Sequence, residues 1–407
     1  MKSLINRLCI YGFVLCRILK RKIINNKEVS NNVAIISINH MGECIMFLDC
    51  MRALGEFFYN KQECKVIFVG NKSSCNYYKN FSKVKIAKYI AIDEMFDLHE
   101  KEISFKKFYL LYKMLEENHF RDIIVPFETW YGVMMTLSLS CNRKHIVQNS
   151  KKLTFLYKLI KNEIHSWCIW EKEEMLLSLF KRLLVSVGIK DYKIRIGQIE
   201  SQELKGELKE IVENIGDYCV IVPGAKDRIR QWEIRKFVDV ISKIVHEKDI
   251  SVVLMGDKDE ITIGDNLMNG LGDNKRVLNL IGKTNFGELN TILSRSVFVL
   301  GNDTGTIHMA AALNVPALAL MTYKDYGKYH PYIVDEYNES VLPKGIWCHP
   351  IPNCKSCGIS TAGIGKRKFP NKQCETNIIE RKLPAWCLSC ITVEQVSKEV
   401  DRLLGKI

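Results

Sequence analysis

The sequence lacks most of the features that mark a specialised class of protein. It has no short-period internal repeat and no long low-complexity tract, which sets aside repeat arrays and a mainly disordered chain. It shows no RNA-recognition signature, no zinc-finger spacing and no helix-turn-helix signal. Its formal net charge of +13 is spread along the chain, with no dense Lys/Arg block inside the body. A basic chain favours anionic partners. Small phosphorylated substrates and a membrane surface fit this even spread better than nucleic acid, which is not an expected partner. The uncharged run Leu8–Cys16 near the start is bounded by Arg7 and Arg17 and is too short to span a bilayer. No small-residue cleavage site follows it, so a secretory leader is not expected.

What is present is ordinary globular composition, 47% hydrophobic and 26% charged, over 407 residues. That length exceeds one core and implies two domains or slightly more. The 15 cysteines are odd in number, which argues against a fully paired disulfide framework. Most, such as Cys44, Cys50 and Cys219, sit in apolar runs and read as small buried hydrophobes in a reducing compartment. The first residues are apolar and basic. On a helix, Leu4, Leu8, Tyr11, Leu15 and Ile18 share a face, while Arg7, Arg17, Lys20 and Arg21 lie largely away from it. Such a helix could lie in an anionic membrane interface or pack on the protein's own body. Phe13 and Val14 fall on the charged side and blur the pattern.

From Val33 the chain alternates short apolar runs with longer helical patterns, the sign of βαβ units and parallel sheets. Strands are expected at Val33–Ile38, Lys65–Val69, Ile86–Ile92 and Asp122–Phe127. A helical stretch over Lys151–Val187 then closes a first half. After a polar linker and helix to Asp217 the pattern restarts. Strands are expected at Tyr218–Val222, Ser251–Met255, Val277–Ile281, Val297–Leu300 and Val315–Leu320. The expected fold is α/β, with two Rossmann-like doubly wound domains. The expected divisions are a basic segment over residues 1–30, a first Rossmann-like domain over 31–205, a second over 206–345 and a Cys-rich tail with a final helix over 346–407. Ligands in such sheets bind on loops at the carboxyl ends of strands, so the loops after Ile38, Val222, Met255 and Leu300 matter most.

The strongest signal follows the strand ending at Leu300: Gly301-Asn302-Asp303-Thr304-Gly305-Thr306-Ile307-His308-Met309-Ala310-Ala311-Ala312. A polar turn presents the N-terminus of a small-residue helix, whose free N–H groups attract anions. Gly305 allows a phosphate to approach closely, and Thr304 adds a hydroxyl. The alternative is that Asp303 or Thr304 merely caps the helix.

This stretch resembles the D-T/S-G-x-x-H-x-A-A-A-L-x-x-P signature of the heptosyltransferase-type glycosyltransferases, glycosyltransferase family 9. Pro223-Gly224-Ala225 with Arg230-Gln231-Trp232 resembles the family's P-G-A…K-x-W element. Gly256–Glu260 resembles its G-x-x-x-E turn, and Val33–Leu54 its opening strand, M-G-D turn and helix. The resemblance implies an inverting, metal-independent glycosyltransferase of the GT-B type. Its donor would be a nucleotide-diphospho-sugar such as ADP-heptose, and its acceptor a lipopolysaccharide or other glycan or glycolipid. It would be cytoplasmic, with the inner face of the cytoplasmic membrane as one place of work.

Carried over by position, Thr304, Gly305 and Gly224 would hold the donor phosphates and Asp303 would orient the donor sugar. Arg230 would face the diphosphate, His308 would belong to the same donor set, and Glu260 would contact the nucleoside. Arg230 stands where the family usually has Lys; it keeps the charge with a different reach. Glu43 stands where the family has Asp. It would be the general base for the acceptor hydroxyl, with His40 and Gly42 in the same acceptor-side loop. Its intrinsic pKa, about 4.3 against 3.9, suits the same task. The bland reading of Glu43 is an acid that favours a helix's first turn. No cofactor is required on this reading.

The tail pairs Cys354-x-x-Cys357 with Cys387-x-x-Cys390, a structural-zinc spacing, although disulfides or free thiols fit too. The final helix, from about Thr392 to Leu404, is amphipathic and in folds of this type packs back on the first domain. Two other functions share the expected fold: a nucleotide-sugar epimerase and a non-catalytic sugar-nucleotide-binding relative.

Overall fold

The computed structural model describes residues 2–23, 30–92, 104–127, 129–149, 163–171, 174–323, 327–336, 342–347 and 372–405. They form two compact units, Met1–Gly197 and Gln198–Ile407. The first contains strands β1 (Asn32–Ser37), β2 (Lys65–Gly70), β3 (Lys88–Ala91), β4 (Phe120–Val125), β5 (Arg143–Asn149) and β6 (Ser166–Trp170). They build a parallel sheet in the order β3-β2-β1-β4-β5-β6. The second contains β7 (Tyr218–Val222), β8 (Ser251–Leu254), β9 (Val277–Asn279), β10 (Val299–Asn302), β11 (Ala317–Leu320) and β12 (Lys344–Ile346). Its sheet is also parallel, in the equivalent order β9-β8-β7-β10-β11-β12. Both units therefore have the Rossmann-like doubly wound order expected.

The central strands are apolar on both faces because helices cover both: every residue of β7 is buried. The crossover helices earn their place through one stripe each. In Ile234–Glu247, Phe237, Val240, Ile241, Ile244 and Val245 recur at helical spacing and are all buried. Truncating Phe237, with no exposed surface, to Ala would cost about 3–5 kcal/mol.

The structure departs from the sequence reading in particular elements. Ser166–Trp170 is strand β6, inside the region expected to be helical, and only Leu176–Val187 there is α-helix among the described residues. Strand β5 was not foreseen because polar residues flank its two buried apolar ones, Ile146 and Val147: Lys144, His145 and Gln148 are at most 5% exposed. Its first residue is fixed instead by charge, since Arg143 Nε and Nη2 lie 2.6 and 2.8 Å from the buried Asp122 carboxylate on β4. The final helix, Val393–Leu404, places Val396 and Val400 in the second unit's core.

The N-terminal helix, Lys2–Ile23, is turned differently from expectation. Ile10, Val14 and Ile18 are buried, and Tyr11 packs inward with them. Leu4, Leu8 and Leu15 are 63%, 59% and 40% exposed. The guanidinium groups of Arg17 and Arg21 point at the body of the unit instead, where Arg17 meets Glu116 and Arg21 meets the carbonyls of Leu137, Ser138 and Leu139.

Candidate functional site

In the second sheet, β7 and β10 are neighbours from which successive strands run outward in opposite directions. Loops leaving their carboxyl ends diverge there and leave a crevice for ligands. The loop after β7 carries Pro223-Gly224-Ala225 and a short 3-10 turn, Arg228–Arg230. The chain after β10 runs through Asp303 and Thr304 into the helix Gly305–Ala312. Asn302, fully buried at the end of β10, ties the two together. Its Nδ2 donates to the Pro223 carbonyl at 2.6 Å, and its Oδ1 accepts from Trp232 N–H at 2.9 Å.

Asp303 is 3% exposed. Arg230 Nη2 donates to its carbonyl oxygen at 2.6 Å and to Oδ2 at 3.0 Å. His330 Nε2 lies 3.2 Å from Oδ1, and His308 Nε2 lies 3.9 Å from the same atom. Burial alone would raise the Asp303 pKa. The hydrogen bond and charge of His330, then the charges of Arg230 and His308, outweigh it and hold the carboxyl well below the usual range. His308 is pushed down to about 3, first by burial and then by the neighbouring His330 charge. Its Nδ1 is hydrogen-bonded to the Tyr332 hydroxyl. The rings of His308 and His330 stack with centroids 5.5 Å apart, and Tyr332 stacks on both.

Neither Asp303 nor Thr304 caps the following helix. The Asp303 carboxylate is engaged by Arg230 and His330, and Thr304, at the N-cap position, makes no side-chain cap bond. Its buried Oγ1 has no partner among the described residues. A hydroxyl left without a bond beside free helix N–H groups is a donor awaiting an acceptor.

The donor atoms of Asp303, His308 and His330 lie within 4.8 Å of one another, close enough in principle to surround a metal ion. The chemistry of the set argues otherwise. Arg230 already holds the same carboxylate, so a divalent ion there would face a fixed positive charge. The spacing to His330 is that of a hydrogen bond.

Glu260 closes the other side of this crevice. Its Oε2 accepts from Asp257 N–H at 2.9 Å, completing a capping box. Its carboxyl also lies against two glycines: a Cβ on Gly224 would fall 2.1 Å from it, and one on Gly256 2.6 Å. Burial raises the Glu260 pKa. Of the neighbouring arginines, Arg228 donates to the Ile378 and Lys382 carbonyls, and Arg235 is exposed on the next helix. Among the three, Arg230 alone engages Asp303.

The residues expected on the acceptor side, His40, Gly42 and Glu43, lie in the first unit, on the turn after β1. His40 is the N-cap of the helix Met41–Met46 and is exposed; Gly42 and Glu43 follow in its first turn, partly exposed. The turn is held from behind: Asn71 Nδ2 donates to the Asn39 carbonyl at 2.8 Å, and the Tyr78 hydroxyl donates to the Cys44 carbonyl at 2.6 Å. Burial pushes the adjacent Cys44 thiol up to about 11, so it is no nucleophile.

Cys354 and Cys357 lie outside the described residues, while Cys387 is buried and Cys390 partly so. The described tail braces the turn Arg228–Arg230 and the helix after it. Ala385 N–H donates to the Ile229 carbonyl at 3.0 Å, and Lys236 Nζ reaches the Ser389 and Ile391 carbonyls at 2.5 and 3.1 Å. Sequence reasoning thus located Arg230, Asp303 and His308, which the fold gathers, and missed His330, Tyr332 and the tie made by Asn302. The only sequence signal for the first two is the Tyr329-His330-Pro331-Tyr332 run after β11.

Residues 174–346 match the model of Glycosyltransferase family 9 (heptosyltransferase). Lipopolysaccharide heptosyltransferase 3 of Escherichia coli (strain K12) is 26% identical over 155 residues, 37% of this chain and 44% of that one. The match thus spans less than half the length of that curated relative. A solved structure of the glycosyl transferase family 9 from Veillonella parvula DSM 2008 superposes with a TM-score of 0.65 at 14% identity, covering 93% of this chain and 99% of that one. E. coli heptosyltransferase WaaC with ADP-2-deoxy-2-fluoro heptose gives a TM-score of 0.57 at 15% identity, over 91% and 99% of the two chains. The fold is that of the two-domain GT-B glycosyltransferases.

Proposed function

We propose that this chain, whose residues 174–346 carry a glycosyltransferase family 9 (heptosyltransferase) domain, is an inverting glycosyltransferase. It would move a sugar, heptose in the first instance, from a nucleotide-diphospho-sugar such as ADP-heptose to a lipopolysaccharide core or a related glycan or glycolipid. The observation that carries the reading is the buried, ionised Asp303 held by Arg230 beside the partnerless Thr304 hydroxyl, at the start of the helix Gly305–Ala312. A fixed carboxylate suits sugar hydroxyls. A guanidinium and helix N–H groups suit phosphate.

In this mechanism the donor diphosphate lies at Thr304, Gly305 and Gly224, and Arg230 turns part of its guanidinium to it. Asp303 accepts hydrogen bonds from the donor sugar, with His308 behind it. Glu260 lines the nucleoside side. The acceptor hydroxyl oxygen forms a bond to the anomeric carbon from the face opposite the diphosphate. The bond from that carbon to the phosphate oxygen breaks, and the nucleoside diphosphate leaves with the electron pair. The acceptor proton passes to Glu43. Arg230 and the helix N–H groups stabilise the charge growing on the leaving oxygen, the task that elsewhere falls to a divalent ion. Heptosyltransferase names among the relatives support the donor sugar.

The test is incubation of the purified protein with ADP-, GDP- and UDP-sugars, with and without a glycan acceptor. Transfer with inversion is the expected outcome. Release of an epimerised free sugar would instead identify an epimerase, and donor binding without turnover a binding protein. A donor at a hundred times its Kd should stabilise the protein by about 2.7 kcal/mol, visible as a thermal shift.

A further inference from the structure

The helix Lys2–Ile23 is oriented the wrong way round for a helix surrounded by water. Its side chains divide into two sets. Facing the unit are Ile10, Val14 and Ile18, together with the guanidinium groups of Arg17 and Arg21. Arg17 Nη2 lies 2.5 Å from Glu116 Oε1, and its guanidinium sits 5.1 Å above the Tyr112 ring. Arg21 Nη2 lies 2.6 Å from the Leu137 carbonyl oxygen and 3.4 Å from Glu163 Oε2. Arg7 lies 5.7 Å above the Trp130 ring, whose Nε1 donates to the Tyr11 hydroxyl at 2.9 Å.

Facing outward are Leu4 (63% exposed), Ile5 (54%), Leu8 (59%), Leu19 (58%) and Ile23 (82%), with Leu15, Cys9 and Cys16 among them. At 100° per residue these fall on one arc about 140° wide, running the length of a helix of about 33 Å. Single exposed leucines are normal. A continuous aliphatic stripe beside guanidiniums that have been turned inward is not, because in water the opposite arrangement costs less.

We infer that this stripe docks in the surface of an anionic lipid bilayer, with the helix lying in the plane of the interface and its leucines immersed. The charge of the helix selects that occupant. Its sequence contains Lys2, Arg7, Arg17, Lys20, Arg21 and Lys22 and no Asp or Glu. Exposed Lys20 flanks the stripe, and the adjoining helix Phe105–Glu116 adds exposed Lys106, Leu110 and Lys113. A second copy of the chain docking by the same stripe would bring like charges together, whereas anionic headgroups complement them. No helix among the described residues is long and apolar enough to cross a membrane, which agrees with a helix lying on the bilayer rather than through it.

The test is flotation of the full chain with vesicles of phosphatidylcholine alone or with a third phosphatidylglycerol. It needs no donor, acceptor or turnover, so its failure and that of the transfer reading are distinguishable. The chain is expected to float with the anionic vesicles. The variant Leu8→Ser/Leu15→Ser/Leu19→Ser is expected to bind at least tenfold more weakly. Its thermal midpoint should be unchanged, since these side chains face outward. Leu19→Glu alone tests the same face should the triple variant melt early. Failure of the parent chain to float with either vesicle overturns the inference. So does flotation that the leucine changes leave intact, which would place the contact elsewhere. Concentration-dependent dimerisation abolished by the same changes, without vesicle binding, would assign the stripe to a second copy.

Discussion

Arg230 holds Asp303 through a single nitrogen: Nη2 lies 2.6 Å from its carbonyl oxygen and 3.0 Å from Oδ2. The two N–H donors of one guanidinium nitrogen thus fix both the backbone and the carboxylate of the residue proposed to meet the donor sugar. Arg230→Met removes that hold and the positive charge beside the leaving diphosphate. The expected result is a fall of about 10²–10³-fold in kcat/KM for transfer, the usual cost of one lost preorganised donor. Arg230→Lys keeps the charge and should recover most of the rate. Initial rates across a donor titration give both numbers.

Glu43 gives the sharpest test of the chemistry. Glu43→Gln keeps size and hydrogen bonding but cannot take the acceptor proton. Transfer should slow by about 10²–10⁴-fold while donor affinity stays at the parental value. Glu43→Asp should retain activity, because it places a carboxylate where the resembled family carries one. Parental rates in Glu43→Gln would leave Glu43 as a helix-start acid only and turn attention to His40.

A methyl group at Gly224 would meet the Glu260 carboxyl at 2.1 Å. Gly224→Ala is therefore expected to lower stability by about 1–3 kcal/mol and to weaken nucleotide-sugar binding. Truncating Glu260 in the same molecule opens the space, so Gly224→Ala/Glu260→Ala should be less destabilised than the two single changes together imply. Urea denaturation of the four-member cycle measures this coupling.

Two buried imidazoles set an acid limit on the fold. Burial lowers His145 to about 4 and His308 to about 3, both below the ~6.5 of an imidazole in an unfolded chain. Between those values the unfolded chain binds protons that the folded chain refuses. The stability from these residues is present above about pH 6.5 and is lost as pH falls through the folded values. For His145 the loss is on the order of 3 kcal/mol. His145→Asn should flatten the dependence between pH 7 and 5, read from denaturation midpoints. An equally steep fall in that variant would move the effect to other groups.

Both sheets were legible because β1 and β7 are unbroken apolar runs that need helices on both faces. β5 was not, because Lys144 and His145 look like surface residues in a sequence and only their neighbours show them to be inside. The Asp303 element was legible because Asp303 and His308 lie in one continuous stretch. His330 lies 27 residues further on and reaches Asp303 only through the return of the chain after β11. Arg230 was set apart from Arg228 by its place two residues before Trp232, and their partners separate them too, tail carbonyls for one and a carboxylate for the other. The N-terminal helix shows the converse limit. Its sequence grouped Leu4, Leu8 and Leu15 with Tyr11 and Ile18 on one face, for a membrane interface or the protein's own body, whereas the fold buries Tyr11's side with Ile18 and leaves the leucines out.

The bonds from the tail to the Arg228–Arg230 turn make the chain report on its own completeness. Arg228 is joined to Lys382, 154 residues downstream, and the Ile229 carbonyl waits on Ala385. A chain cut short ahead of this brace would still hold every strand of both sheets, yet the turn that carries Arg230 would lack its support. The proposed grip on a nucleotide sugar would then arrive late in synthesis, together with Leu388, Ile391, Val396 and Val400 of the second unit's core, so that a prematurely released product would lack both.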